Sequence, residues 1–173
     1  MLARARRGEA DALQQLYRQQ APAIRRFLRG VLRCAASADD GTQETFVRAF
    51  RGLGALRDES RLVPFLFGIA RMVAREMHRT RLRSTSEAAP EQADGRTPES
   101  ALLGAETART LDAALDELSE GRRAALLLRV DHGLPYEEIA EIMGWSLAKA
   151  KVEIHRAREV LRGHLVGTEE DSR

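Results

Sequence analysis

Apolar residues recur every three or four positions through the first half of the chain, which is the spacing of helices with one buried face. Across residues 10–32 this spacing is interrupted by Pro22, so the pattern predicts either two helices or one broken helix. The stretch "SADDGTQETFVRAFRGLG" predicts another helix, with Gly52 and Gly54 at its end. Ser37 or Asp39 is the expected cap of its first turn, because both side chains accept hydrogen bonds from backbone N–H groups.

Helical spacing continues in "RLVPFLFGIARMVAREMHRTR", where Pro64 fits only within the first turn of a helix. Beyond residue 104, apolar stripes predict two helices that precede "DHG", a short helix that Pro135 opens, and a longer one from Ser146 to about His164. No segment alternates apolar and polar residues in the manner of a half-buried strand. The pattern therefore predicts an all-α fold.

The two sets of predicted helices are separated by residues 84–104, whose composition differs from the rest. The stretch "STSEAAPEQADGRTPES" is rich in Ser, Thr, Pro and Glu and contains no large apolar side chain, which is typical of a flexible, acidic linker. We therefore predict two small helical domains, residues 1–83 and 105–167, joined by the linker 84–104. Residues 168–173 are expected to form a short frayed tail.

Charge is distributed unevenly along the chain, although the formal net charge is only +2. Residues 1–83 carry seventeen arginines and eight acidic residues, a net charge of +9. Residues 84–104 have a net charge of −3, and residues 105–173 have a net charge of −4. The excess of basic side chains therefore belongs to the first domain alone.

The composition argues against several functional classes. No run approaches the roughly eighteen consecutive apolar residues of a membrane span, and the first residues lack the features of a signal peptide. We therefore expect a cytoplasmic protein with no membrane insertion. Cys34 is the only cysteine and the histidines do not share metal-ligand spacings, so no metal or other cofactor is predicted. No phosphate-binding loop, nucleophile elbow or catalytic dyad is present, and enzyme activity is not expected.

The stretch "GLPYEEIAEIMGWSLAKAKVEIHRARE" has the features of a helix-turn-helix, in which two helices cross closely and the second enters a DNA groove. Close crossing requires a small residue in the first helix, which Ala140 supplies, and Gly144 tolerates the left-handed geometry of the turn. Ser146 is the expected cap of the second helix. The residues predicted to form the shared core are Ile139, Met143, Trp145, Leu147, Ala150 and Ile154.

The outward face of this second helix is basic, although the surrounding domain is acidic. Residues 146–162 contain five bases and two acids. This local excess favours a DNA-binding face, and a helical hairpin with an ordinary solvated face is the alternative. The side chains predicted to face outward are Lys149, Lys151, Val152, Glu153, His155, Arg156, Arg158 and Arg162.

Two motifs extend this prediction to a family. The stretch "LSEGRRAALLLRVDHGLPYEEIAEIMGWSLAKAKVEIHRAREVLR" resembles the DNA-binding fourth region of the extracytoplasmic-function (ECF) sigma factors of bacterial RNA polymerase. "DDGTQETFVRAFRGLG" is similar to the polymerase-binding helix of that family, and "PFLFGIARMVAREMHRTR" resembles the helix that engages the melted minus-ten element. The resemblance implies an alternative sigma factor, which would bind core RNA polymerase, recognise the minus-ten and minus-thirty-five elements and initiate transcription.

The resemblance also implies partners for the first domain. The family's polymerase-binding face docks on the clamp helices of the largest polymerase subunit, and the polymerase flap is a further expected contact. Many relatives are inhibited by an anti-sigma protein, so one is expected here. The positions that match the polymerase-binding face are Asp39, Asp40, Gln43 and Glu44.

The helix that matches the minus-ten reader departs from the family at one point. Many relatives carry Trp-Leu where this chain has Phe65-Leu66, which leaves open the base that is captured. The basic residues expected to contact the DNA backbone there are Arg71, Arg75, Arg79 and Arg81.

The helix that matches the minus-thirty-five reader departs from the family at Glu153, where relatives often carry a basic residue. Glu153 either accepts from a cytosine amino group or is paired with Lys149 or Arg156 at helical spacing. The positions expected to contact the minus-thirty-five element are Ser146, Lys149, Lys151, Val152, His155, Arg156 and Arg158.

Two other functions fit parts of the sequence. A stand-alone helix-turn-helix regulator would bind an operator as a dimer, but it requires a dimerisation or sensor unit, whereas "TQETF" favours polymerase docking. A helical adaptor would use its basic surface to bind an acidic protein, and its binding to DNA would then lack the salt dependence of phosphate contacts.

Overall fold

The computed structural model describes residues 1–84 and 105–170. Apart from Ser84, the predicted linker lies outside the described residues, as do residues 171–173 of the predicted tail. The chain divides into two compact units, Met1–Ala93 and Asp94–Arg173. All regular elements in the described ranges are helices, so the predicted all-α fold is confirmed. Within those ranges, no helix has the length and apolar character needed to cross a membrane.

The first unit is built on three long helices that pack against one another in pairs. Two short 3-10 helices, Leu53–Ala55 and Glu59–Arg61, connect the second of these long helices to the third. The α-helices of this unit are α1 (Leu2–Arg6), α2 (Ala10–Leu32), α3 (Ala35–Gly52) and α4 (Leu62–Ser84).

Pro22 does not break α2, which is one continuous helix, so the predicted interruption is wrong. Pro22 itself is exposed, whereas Leu16 and Ile24 on either side of it are almost fully buried. An interior proline costs a helix about 3 kcal/mol. Burying each large aliphatic side chain contributes about 1.5–3 kcal/mol, so the shared buried face keeps the helix intact.

The start of α3 also differs from the prediction. The helix begins at Ala35 and no side chain caps its first turn, so the predicted caps Ser37 and Asp39 are wrong. Cys34 is half-buried at the position immediately before the helix. The helix ends at Gly52, one of the two predicted glycines, whereas Gly54 lies in the 3-10 helix that follows.

Gly41 lets α3 lie close to both of its neighbours. A Cβ atom at this position would lie 3.3 Å from Leu28 Cδ1 of α2 and 3.3 Å from Met77 Sδ of α4. These separations are shorter than ordinary van der Waals contact, so the absence of a side chain permits the close approach. The core of this unit also includes Phe27 and Phe67, whose rings meet edge to face with centroids 5.3 Å apart.

In the second unit, one long helix packs against the three that precede it. This last helix continues well beyond the predicted end near His164, to Glu170. The helices are α5 (Ala105–Glu117), α6 (Glu120–Val130), α7 (Tyr136–Met143) and α8 (Leu147–Glu170).

The predicted helix-turn-helix is formed by α7 and α8. Gly144 adopts the left-handed conformation, with φ 65° and ψ 36°, and the next backbone N–H, from Trp145, donates to Ala140 O at 2.8 Å. The N–H of Gly144 also donates to Glu141 O, and the two bonds satisfy carbonyls at the end of α7 that have no donor within the helix. Four predicted core residues are buried, but Leu147 is exposed and Trp145 is only half-buried; the buried four are Ile139, Met143, Ala150 and Ile154.

Replacing Gly144 with alanine is expected to lower the free energy of unfolding of the second unit by about 1–2 kcal/mol, the cost of the left-handed conformation for a residue with a Cβ. Apart from the two chain neighbours of Gly144, no described residue has an atom within 4 Å of the added Cβ, so the effect reports conformation and not a clash. Urea denaturation measures it. Gly163→Ala is the control, because this helical glycine has equally open surroundings and its replacement should stabilise the helix. Equal effects of the two changes would contradict the assigned turn.

Candidate nucleic-acid interface

The seven residues predicted to contact the minus-thirty-five element are all exposed, six of them on α8 and Ser146 immediately before it. Ser146 caps the helix as expected, since its Oγ accepts a hydrogen bond from Lys149 N at 3.2 Å. The helix is therefore fixed at the end that a recognition helix presents to bases. The seven exposed residues are Ser146, Lys149, Lys151, Val152, His155, Arg156 and Arg158.

Helical periodicity divides the basic residues of α8 into two flanks. Lys149 and Arg156 lie two turns apart on one flank, whereas Lys151 and Arg158 lie two turns apart on the other. Val152 lies between the flanks and is 46% exposed. An apolar centre between two basic edges suits a DNA groove, in which the bases lie between two phosphate backbones.

The two lysines of this surface each lie over an aromatic ring, in cation–π contact. Lys149 Nζ lies 5.0 Å from the centroid of the Trp145 ring, and Lys151 Nζ lies 5.9 Å from that of Tyr136. Arg129 of α6 also stacks on Tyr136, at 4.7 Å, and its Nη1 donates to Leu134 O. Sequence reasoning missed Arg129 and Tyr136, because only the packing of α6, α7 and α8 brings them beside Lys151.

Glu153 does not project from the exposed basic surface of α8, so its predicted outward position is wrong. Its side chain is 15% exposed, and Oε2 accepts a hydrogen bond from Arg122 Nε of α6 at 2.5 Å. Oε1 accepts from Arg156 Nη1 at 3.3 Å, which confirms the expected pairing along the helix. The hydrogen bond from Arg122 is the main reason that the pKa of Glu153 is lowered. Arg122 was missed, since it lies 31 residues away in the sequence.

The lowered pKa of Glu153 predicts a pH dependence of stability. The ordinary pKa is 4.5, and the folded-state pKa lies below it. The stabilising contribution is therefore complete above about pH 4.5 and is lost as the pH falls through the folded-state pKa. Denaturation is measured for the wild type and for Glu153→Gln at several pH values. The free energy of unfolding should fall less for the variant than for the wild type as the pH is lowered into the acidic range. An equal fall in the free energy of unfolding for both proteins would show that ionised Glu153 does not contribute to stability.

The arginines of α4 do not all lie together. Arg71, Arg75 and Arg79 follow one another at intervals of four residues and so lie along one side of the helix. Arg81 lies on a different side by the same periodicity. By the same periodicity, the exposed apolar side chains of Met72 and Leu82 lie on the side of the helix that carries the aligned arginines. The structure thus brings together three of the four predicted minus-ten contacts.

The predicted polymerase-binding residues of α3 are also divided. Asp40 and Gln43 are exposed on one side of the helix, together with Val47, which is 44% exposed. Both carboxylate oxygens of Asp39 are instead bound by Arg25 of α2, and this hydrogen bonding lowers the pKa of Asp39. Asp40, Gln43 and Val47 therefore form the exposed α3 stripe, a mixed polar and apolar surface.

Glu44 belongs to an ion-pair cluster that joins α3 to α4. Arg48 Nε donates to Glu44 at 2.7 Å, and its terminal nitrogens bind both oxygens of Glu76 at 2.9 and 2.7 Å. These bonds raise the pKa of Arg48 and lower that of Glu76. Glu44 lies one helical turn from Asp40 of α3. The charge of Arg79 also lowers the pKa of Glu76, so the cluster lies between the exposed α3 stripe and the aligned arginines of α4.

Comparison with protein families gives two matches. Residues 16–84 match the model described as Sigma-70 region 2, and residues 108–161 match Sigma-70, region 4. The first match covers α3 and α4, and the second covers the helix-turn-helix.

Several curated proteins are similar over nearly the whole chain. The RNA polymerase sigma factor YlaC of Bacillus subtilis is 32% identical over 168 residues, which cover 94% of this chain and 97% of that protein. The ECF RNA polymerase sigma factor SigD of Mycobacterium tuberculosis is 31% identical over 176 residues, covering 96% of this chain and 82% of that protein. The ECF RNA polymerase sigma factor EcfG of Rhodopseudomonas palustris is 32% identical, covering 87% and 83% respectively.

Two solved structures share the fold. The sigma factor RpoE in complex with the anti-sigma factor NepR, from Bartonella quintana, superposes with a TM-score of 0.72, at 24% identity, over 90% of this chain and 98% of that one. CnrH in complex with the cytosolic domain of CnrY superposes with a TM-score of 0.70, at 26% identity, over 96% and 95%.

Proposed function

This chain belongs to the ECF sigma factors of RNA polymerase, and we propose that each of its two units recognises a different promoter element. As an alternative sigma factor, it serves the initiation of transcription. The first unit binds core polymerase through α3 and the minus-ten element through α4. The second unit binds the minus-thirty-five element through α8. The chain itself catalyses no reaction.

The exposed basic surface of α8 is the observation that carries the assignment of the second unit. This unit is acidic overall, yet its recognition helix presents lysines and arginines on both sides of Val152. Such an arrangement offers charge to two phosphate backbones and an apolar contact to the thymine methyl group. The stacking of Lys149 and Lys151 on aromatic rings limits their freedom before DNA binds, which supports a binding role over a merely solvated face.

The first unit has separate surfaces for protein and DNA. The exposed α3 stripe combines the acid Asp40, the amide Gln43 and the apolar Val47, a composition that suits a basic protein partner. The aligned arginines of α4 suit a single strand, whose backbone they neutralise while Met72 and Leu82 contact unstacked bases. Arg81 then contributes only to the general positive charge of the unit.

The partners that follow are core RNA polymerase, through its clamp helices and flap, promoter DNA, and an anti-sigma protein. The anti-sigma protein is proposed because RpoE and CnrH, which share this fold, were each solved with a second protein, in RpoE's case an anti-sigma factor. These partners all belong in the cytoplasm.

Run-off transcription tests this assignment. Purified bacterial core polymerase is supplied with a library of promoters and with this protein as the sole initiation factor. Specific transcripts that require both promoter elements are expected. If the protein shifts duplex DNA but neither binds core polymerase nor supports transcripts, the stand-alone operator-binding regulator replaces this assignment. If the protein does not bind core polymerase and its DNA binding is absent or insensitive to salt, the helical adaptor replaces this assignment.

A further inference from the structure

We propose that Glu153 is a positioning residue that orients the guanidinium of Arg156 and thereby sets base preference within the minus-thirty-five element. This role rests on the proposed function of the second unit and adds a specificity determinant to it. Glu153 itself does not touch DNA in this proposal. It acts through Arg156, and Arg122 holds it in place from the adjoining helix.

The geometry joins a half-buried arginine of α6 to an exposed arginine of α8 through one carboxylate. Glu153 is bound on one oxygen by Arg122 Nε at 2.5 Å and on the other by Arg156 Nη1 at 3.3 Å. The carboxylate is 15% exposed, whereas Arg156 is 60% exposed. The position of the Arg156 guanidinium therefore depends on α6 as well as on its own helix, α8.

This arrangement affects specificity because arginine is flexible. An arginine side chain loses rotamer freedom when its guanidinium binds a base edge, and that loss weakens binding. A hydrogen bond to a fixed carboxylate removes part of the freedom beforehand. The bond uses one of the five N–H donors of the guanidinium, which leaves donors for a guanine edge.

The inward placement of Glu153 also resolves the problem of an acid on a DNA-binding helix. An outward carboxylate would repel phosphates or would need a cytosine amino group as its donor. Glu153 instead lies among three cations, because Lys149 also contributes to lowering its pKa. The acid therefore costs little affinity while it restricts Arg156.

Glu159 provides a matched control on the same helix. It is paired with Arg162 three residues further on, just as Glu153 is paired with Arg156. Its side chain is 49% exposed, and no bond to another helix is seen for it within the described residues. Glu159→Gln and Glu153→Gln remove the same charge from α8, so a difference between them reports positioning and not charge.

The test is a selection with holoenzyme reconstituted from core polymerase and the full chain. The probe is a pool of duplex promoters with a fixed minus-ten element and a randomised minus-thirty-five element, and bound molecules are sequenced. We expect Glu153→Gln to lower discrimination about fivefold at the base pairs that Arg156→Gln also affects. Affinity for scrambled DNA should not fall, since a negative charge is lost.

Glu159→Gln should keep the wild-type preference, and Arg122→Gln should reproduce the profile of Glu153→Gln from the other side of the contact. The proposed positioning would be overturned if the two glutamate variants had the same base preference, or if Glu153→Gln kept the base preference of the wild type. Either result would leave the proposed function of the second unit intact. A wild-type holoenzyme without any preference in the randomised element would overturn the proposed function of the second unit, and this role with it.

Discussion

Replacing both Lys151 and Arg156 with alanine is expected to lower the affinity of the holoenzyme for minus-thirty-five DNA about a hundredfold, because each charged contact to a base edge or phosphate contributes about 1–3 kcal/mol. The two residues lie on opposite flanks of α8, so the variant weakens both sides of the interface. Affinity should be measured against salt concentration. The salt slope should decrease by about 1 for each lost phosphate contact.

Arg109→Ala is the control for this double variant. Arg109 is an exposed base of α5, outside the proposed interface. Its loss should change affinity by much less than tenfold. If the control weakens binding as much as the double variant does, the second unit attracts DNA through its general charge, and α8 is not the recognition helix.

Introducing arginine at both Asp40 and Gln43 is expected to lower the affinity for core polymerase more than a hundredfold. The proposed partner is the basic surface of the clamp helices, and like charges brought together in an interface cost several kcal/mol. Both positions are exposed, so the fold should tolerate the change. Titration of labelled protein with core polymerase measures the affinity, and thermal unfolding checks the fold.

Asp11→Arg separates this surface from general charge. Asp11 is an exposed acid in the first turn of α2, outside the α3 stripe. Its reversal should leave affinity for core polymerase within about threefold of the wild type, as expected for an acid outside the contact. Normal binding by the variant with arginines at Asp40 and Gln43 would remove α3 from the docking surface.

The features that the sequence predicted well are those that local chemistry decides. Gly144 is left-handed and Ser146 caps α8, because a tight turn and a helix start each require a small set of residue types. Ile139 of α7 and Ile154 of α8 are buried because the apolar spacing within each helix places them on its inner face. Such features need no knowledge of the remainder of the fold.

The features that could not be predicted depend on residues distant in the sequence. Arg122 reaches Glu153, and Arg25 binds Asp39, only after two helices have packed together. Pro22 illustrates the same point, since its local cost predicted a break that the tertiary burial of α2 overrides. Pairing also changes the candidate site. It directs Glu153 inward and occupies Asp39, so Asp40 and Gln43 are the exposed residues among the four predicted to bind polymerase.

Photo-crosslinking within the assembled holoenzyme tests whether the two units contact different promoter elements. A photoreactive amino acid is placed at Val152 of α8 in one variant and at Met72 of α4 in another, since both side chains are exposed. Each variant is bound to promoter DNA with core polymerase and irradiated. We predict that Val152 crosslinks to the minus-thirty-five element and Met72 to the minus-ten element. Crosslinks from both positions to one element, or DNA crosslinks that are unchanged when core polymerase is omitted, would contradict the account.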